Sequence, residues 1–237
     1  MLLNATLTLW TFGDSILDCG RYNPHGVHPA QLLIRNNDGL FPAERGHDLA
    51  SRGVAAELRH RALDGATTHG LERHLEGLDL SGGGIALITA GGSDLLRGAM
   101  ADPTGQEVRR VAARLEAFLD RLPLRPVLLG NVYDPTFGDD SLNFLPVEPE
   151  VGRRNHLGYN ALLEEMAPRY GSLVDIHGHF LAGERSWLTA VIEPSLEGAS
   201  EVRRAFLPHV LAAAGLGGAS AAGSAAGGTS IGSCIVS

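Results

Sequence analysis

Short apolar runs that stop at small or acidic residues constrain this chain more than any other feature. Leu7–Phe12 ends at Gly13, Ile85–Thr89 closes on Gly91-Gly92, Pro126–Val132 reaches Tyr133-Asp134, and Leu173–Ile176 runs into His177-Gly178. Glu57–Ala62 is a weaker, alternating example. Runs this short fit strands better than helices, and unbroken apolar character fits burial on both faces. Between them lie amphipathic segments. The clearest is Glu107–Leu122, with Val108, Val111, Ala112, Leu115, Leu119 and Leu122 at helical spacing and Arg109, Arg110, Arg114 and Asp120 on the other face. Two more run from Asn155 to about Arg169 and from about Pro194 to Leu211. Strands alternating with helices imply parallel pairing through right-handed crossovers, helices covering both faces. The expected fold is therefore a three-layer αβα sandwich on a doubly wound, mainly parallel, five-stranded sheet.

Such sheets bind ligands at the carboxyl ends of their strands. Gly13-Asp14-Ser15, Asp64-Gly65-Ala66-Thr67, Gly91-Gly92-Ser93-Asp94 and Asn131-Val132-Tyr133-Asp134 all follow strand-like runs, so they should share one rim. Ser15 is placed where a helix would begin. There it is either a helix N-cap, a common use of serine, or a nucleophile beside unpaired N–H groups. The tripeptide alone favours the cap.

At 237 residues the chain suits one domain, expected over 1–214, followed by a Gly/Ala/Ser-rich tail, 215–237, expected to lack fixed structure. The tail contains Gly228-Thr229-Ser230-Ile231-Gly232, a G-x-S-x-G match without the strand and helix a nucleophile elbow requires. A net charge of −8 with scattered arginines argues against a nucleic-acid partner. No apolar stretch reaches membrane-spanning length, and Met1–Trp10 lacks the marks of a signal peptide. Two cysteines, Cys19 and Cys234, suit a reducing compartment, so a cytoplasmic location is expected. Oligomeric state is not encoded legibly.

Phe12-Gly13-Asp14-Ser15-Ile16-Leu17-Asp18 resembles the first block of the GDSL (SGNH) esterase/lipase family, G-D-S-x-x-D. Leu63-Asp64-Gly65-Ala66-Thr67-Thr68 resembles the second block, and Ile88–Leu96, with Gly91-Gly92-Ser93-Asp94, the third, usually G-G-N-D. Gly158–Leu163 and Pro194–Gly198 resemble what surrounds the last strand and the catalytic histidine. The blocks occur in family order across roughly 7–211. The resemblance implies an SGNH-like, flavodoxin-like sheet and an ester hydrolase with no cofactor, acting on a small-molecule, lipid or sugar ester. Ser15 would be its nucleophile, and the N–H groups of Ser15 and Gly65 with the Ser93 side chain its oxyanion hole. Read from their positions, Asp14 is expected to brace the turn and Asp94 to bond backbone near the third block, both as supporting residues.

Three positions depart from the family. Ser93 replaces the third-block Asn. In the last block, D-x-x-H-P becomes Ala190-Val191-Ile192-Glu193-Pro194, so Glu193 stands for His and Ala190 for Asp. Glu193 could itself be the base, although a free carboxylate is about two pKa units less basic than imidazole. Alternatively His179 or His177, after the fifth strand, could relay the proton with Glu193 orienting it, which is the preferred arrangement because it keeps a Ser–His–acid relay. The third option is a chain that has lost hydrolysis and binds an ester-like or glycan ligand. His177-x-His179 beside Asp175 also suggests a metal pair, but no further ligand stands at diagnostic spacing, so no metal is expected. His25 and His28 fall in the long polar connection Arg21–Arg45, a candidate lid, and His60, His69 and His74 read as surface residues.

Overall fold

The computed structural model describes residues 6–217. Its sheet consists of β1 (Leu7–Gly13), β2 (Ala56–His60), β3 (Ile85–Thr89), β4 (Val127–Gly130) and β5 (Gly171–Val174), all parallel, in the order β2-β1-β3-β4-β5. The sheet is the expected doubly wound one, with β1 at its switch point. The helices are α1 (Pro29–Ile34), α2 (Gly92–Leu96), α3 (Gln106–Arg121), α4 (Pro149–Met166), α5 (Ile176–Leu181) and α6 (Leu196–Ala213).

Alternation along each strand divides the core in two, because successive side chains leave a strand on opposite faces. Trp10, Phe12, Ala86, Ile88 and Leu129 point to one face and meet Val111, Leu115 and Phe118 of α3 and Tyr159 and Leu163 of α4. Leu9, Ile85, Leu87 and Leu128 point to the other and meet Leu33 of α1 and Val202, Phe206 and Val210 of α6. Every residue of β3 is buried, whereas β2, at the sheet edge, alternates between half-buried and exposed. That difference explains why Ile85–Thr89 is the plainer strand in sequence. Truncating a fully buried aromatic such as Phe12 or Phe206 to alanine is expected to cost about 3–5 kcal/mol.

Three local features depart from expectation. No α-helix follows β1: Ser15 lies in a single turn closed by Leu17 N–H and Asp18 N–H donating to Asp14 O at 3.2 and 3.1 Å. β5 stops at Val174, so Ile176 belongs to a helix. The last block forms a small antiparallel hairpin, β6 (Leu188–Thr189) with β7 (Glu193–Pro194). The pattern Gly228–Gly232 lies outside the described residues. Among these, no helix is long and apolar enough to cross a membrane.

Candidate active site

The loop after β1 can turn only because residue 13 is glycine. Its φ is +114°, and a Cβ there would stand 1.6 Å from Thr89 O on β3. The next residue, Asp14, caps the turn: its Oδ1 accepts from Ile16 N–H at 3.3 Å and from the Thr89 hydroxyl at 2.8 Å. The capping role that a serine often fills is thus taken by Asp14, leaving the half-buried Ser15 hydroxyl for other work. Burial pushes the Asp14 carboxyl up to about 7, while those two hydrogen bonds hold it down and the nearby Glu193 and Asp94 charges push it up further. The same turn buries Cys19, whose thiol is driven up to about 12 by desolvation, so Cys19 is a packed residue and not a second nucleophile.

Ser15, Gly65 and Ser93 line one cavity of about 310 Å³. Among the described residues, neither the Ser15 N–H nor the Gly65 N–H has a hydrogen-bond acceptor within the protein. Unspent backbone donors are what an oxyanion hole is built from, and these two lie on the wall of the same cavity as the Ser15 hydroxyl. Gly65 has φ +73°, a conformation that favours glycine, and its carbonyl receives Arg97 Nη2 at 3.1 Å. Asp94 ties the second block to the third: its carboxylate accepts from Thr68 N–H (2.8 Å), the Thr68 hydroxyl (2.9 Å) and Arg114 Nη2 (3.3 Å). Ser93 lies in the first turn of α2, one residue before that brace.

Glu193 arrives from the hairpin. It is 9% exposed, and its Oε2 is buried with no hydrogen-bond partner among the described residues. Burial pushes its carboxyl above the ordinary glutamate range, and the adjacent Ser15 hydroxyl pulls the other way. The hairpin is held by the Tyr133 hydroxyl donating to Ile192 O and by Tyr133 stacking on Phe180 with ring centroids 4.5 Å apart. Its turn is strained: Ala190 and Val191 have φ of 45° and 76°, positions where a Cβ, and above all a β-branched side chain, is disfavoured.

The two candidate histidines do not share a face. Because Asp175 caps α5 through Gly178 N–H (2.9 Å), His177 and His179 are two residues apart on a helix, about 200° around its axis, instead of side by side on a strand. His179 leaves the cavity altogether. Its Nε2 bonds Glu201 Oε2 at 2.8 Å and its ring stacks on Trp187. His177 does line the cavity, against His156 at 5.1 Å, and burial pulls its pKa down. Its Nδ1 is buried without a hydrogen-bond partner among the described residues. Among the described residues no side chain, imidazole or Glu193 carboxylate, is within hydrogen-bond geometry of the Ser15 hydroxyl, although Glu193 is near enough for Ser15 to affect its pKa, and the helical geometry removes the His177–His179 metal pair. The acid beside the serine is Glu193.

Sequence reasoning also passed over the shell beneath the second block. Asp18 accepts Asp64 N–H at 2.8 Å through Oδ2, while its Oδ1 meets His60 Nε2 at 3.2 Å and His28 Nδ1 at 3.4 Å. The Asp64 carboxylate in turn receives the Tyr22 hydroxyl (2.9 Å) and Arg21 Nη1 (3.0 Å). His28 and His60 are thus half-buried props of the residue preceding Gly65, not the solvated loop and surface groups their sequence context suggests. The signal that could have found Asp18 was the final acid of G-D-S-x-x-D.

No protein-family model and no curated protein matches the sequence. Solved structures do match. The acetylxylan esterase Axe2 from Geobacillus stearothermophilus superposes with a TM-score of 0.63 at 19% identity, over 89% of this chain and 96% of that one. The lipase Lip_vut3 from a goat rumen metagenome gives 0.61 at 17% identity, over 85% and 96%. The chain has the fold of these hydrolases. At such identities the likeness is one of architecture, and function is carried by sites and not by folds. Some Axe2 structures are of catalytic mutants in which a serine, a histidine or an aspartate is replaced by alanine. In the present chain the last block offers Glu193 and Ala190.

Proposed function

We propose that this protein is a serine hydrolase of carboxylic esters in which Ser15 is the nucleophile and Glu193 its base. The observation that carries the reading is the conjunction at one cavity of the Ser15 hydroxyl with two unspent N–H donors, those of Ser15 and Gly65. The esterase and lipase identities of structures sharing the fold support it. Glu193 is preferred over the histidines because it stands against Ser15, whereas His179 is committed to Glu201.

In the first step Ser15 Oγ attacks the ester carbonyl while its proton passes to the Glu193 carboxylate. The carbonyl oxygen becomes an oxyanion held by the two N–H groups, and the hydroxyl of Ser93 adds a third donor. Collapse expels the alkoxide, which takes the proton back from Glu193 and departs as an alcohol, leaving acyl-Ser15. Water then attacks the acyl group, giving its proton to Glu193, and the acid leaves as Ser15 is reprotonated. A carboxylate starts about two pKa units short of imidazole as a base, roughly 3 kcal/mol. Burial of Glu193 recovers part of that deficit.

The test is hydrolysis of short activated esters by wild type, Ser15→Ala, Glu193→Gln, His177→Ala and His179→Ala. Ser15→Ala is expected to abolish turnover, and Glu193→Gln to lower kcat by about 10²–10⁴, the usual worth of a positioned base. His179→Ala should stay within a few-fold of wild type. Because Glu193 must be ionised, the rate should rise with pH through an apparent pKa above that of free glutamate. An active Glu193→Gln enzyme alongside an inactive His177→Ala one would transfer the base to His177. Absence of Ser15-dependent turnover would favour the binding-protein alternative.

A further inference from the structure

The cavity at Ser15 continues well past the reacting atoms. Its volume of about 310 Å³ is that of roughly ten water-sized groups. An acetyl group would use a small part of it. The distal arm runs between the segment after β4, the end of α2 and the start of α4, and its wall includes Met100, Phe144, Val147, Leu157 and Leu181. Five large hydrophobic residues are conspicuously exposed among the described residues, and three of them, Phe144, Leu157 and Leu181, lie on this arm. Exposed apolar groups gathered at one concavity mark a binding site, whereas scattered ones do not.

The polar side chains along the same arm are largely occupied by the protein itself. Asp134 accepts from Thr136 N–H, the Thr136 hydroxyl and Gly138 N–H at 2.7–3.1 Å. Arg153 is held by Gly138 O and the Asp140 carboxylate. Asn143 spends its amide on Val147 O and its carbonyl on Leu145 N–H, and His156 bonds Val132 O at 2.8 Å. The exceptions in this cavity among the described residues are His177 Nδ1 and, beside Ser15, Glu193 Oε2. A sugar would need free donors and acceptors at this depth, and the arm offers chiefly hydrocarbon.

We propose that this arm receives an aliphatic chain, so that the substrates are esters bearing a hydrocarbon chain much longer than acetyl, and not acetyl esters of polar sugars. The proposal rests on Ser15 being an ester nucleophile, and the experiment separates the two. One arm measures p-nitrophenyl esters from acetate to octanoate, the other alkyl acetates from ethyl to octyl. The expected result is a rise of at least tenfold in kcat/KM with chain length in one series, which identifies whether the acyl or the alcohol side carries the chain.

Gly152 supplies a direct block. It lies inside α4 with an ordinary helical backbone, and a Cβ there would stand 3.5 Å from Met100 Cγ and 3.6 Å from Val147 Cγ1. Gly152→Leu should therefore fill the arm and lower the long-to-short preference at least fivefold. Leu157→Asn, at an exposed position on the mouth, gives the same readout should the larger side chain upset packing. Flat or falling rates in both series, with Ser15-dependent turnover intact, overturn the aliphatic arm and leave the hydrolase reading standing. Without Ser15-dependent turnover of any ester, the arm is judged by calorimetric titration of Ser15→Ala with sodium octanoate. Binding that Gly152→Leu weakens supports it, and no binding overturns it.

Discussion

Asp14 sits next to Ser15, the proposed nucleophile, with its carboxyl buried and its pKa pushed up to about 7 from an unfolded value of 3.8. The folded state therefore holds a proton that the unfolded state gives up between these values. Stability changes with pH as the difference in bound protons, unfolded minus folded, which is negative here, so stability falls as pH rises. The contribution is fully present below pH 3.8 and lost as pH climbs through about 7. At 1.36 kcal/mol per unit, the shift corresponds to about 4 kcal/mol in total, of which about 3 falls between pH 5 and pH 8. Asn at position 14 keeps an oxygen for Thr89 and Ile16 and cannot ionise. The test is urea unfolding of wild type and Asp14→Asn at pH 5, 6, 7 and 8, reading only the difference between the two so that other titrations cancel. Asp14→Asn should gain on wild type by about 3 kcal/mol across this range. A difference constant to within about 1 kcal/mol would refute the buried-proton account, because it would mean that Asp14 ionises as readily in the folded protein as outside it.

Other substitutions probe the site's supports. Gly65→Ala forces a Cβ onto a backbone at φ +73° and shifts the N–H proposed as an oxyanion donor; kcat should fall by about 10²–10³ in the ester assay, the worth of one such donor. Tyr133→Phe leaves Ile192 O without its hydroxyl partner and loosens the hairpin that carries Glu193; a stability loss of about 1 kcal/mol and a several-fold drop in kcat are expected from denaturation and steady-state kinetics. Val191→Gly relieves a left-handed, β-branched residue that is mostly solvent-exposed, so unfolding should shift upward by about 1 kcal/mol, and a downward shift would contradict the strain.

Much of the architecture was legible because it is written in short-range patterns. Ile85–Thr89 is a strand in both sequence and structure, and the apolar face assigned to Glu107–Leu122 is the one α3 buries, with Phe118 added. Boundaries moved where burial is shared: Pro126–Val132 contracts to Val127–Gly130, since Val132 and Tyr133 turn away to line the cavity. The start of α4 was missed by several residues because Pro149, Glu150 and Gly152 carry no helical stripe, although a first-turn proline suits a helix start. His28, in a loop, and His60, at the end of β2, could not be read at all, because what gives them a role is Asp18, far from His60 in sequence and in hydrogen-bonding contact with it in space.

By itself the sequence determined a parallel sheet, the rim on which its loops converge, and Ser15 as the residue to watch. Those follow from side-chain periodicity and from glycines whose backbones no other residue adopts comfortably. Tertiary structure decided what surrounds that serine. A strand ending two residues earlier than its apolar run suggests converts His177 and His179 from neighbours on one face into opposite sides of a helix, and sends His179 to Glu201. A two-residue-per-side hairpin, too short to announce itself by pattern, brings Glu193 against Ser15 instead. Periodicity reports which face a residue takes within its own element, whereas distances between elements depend on where each one stops and how the next packs.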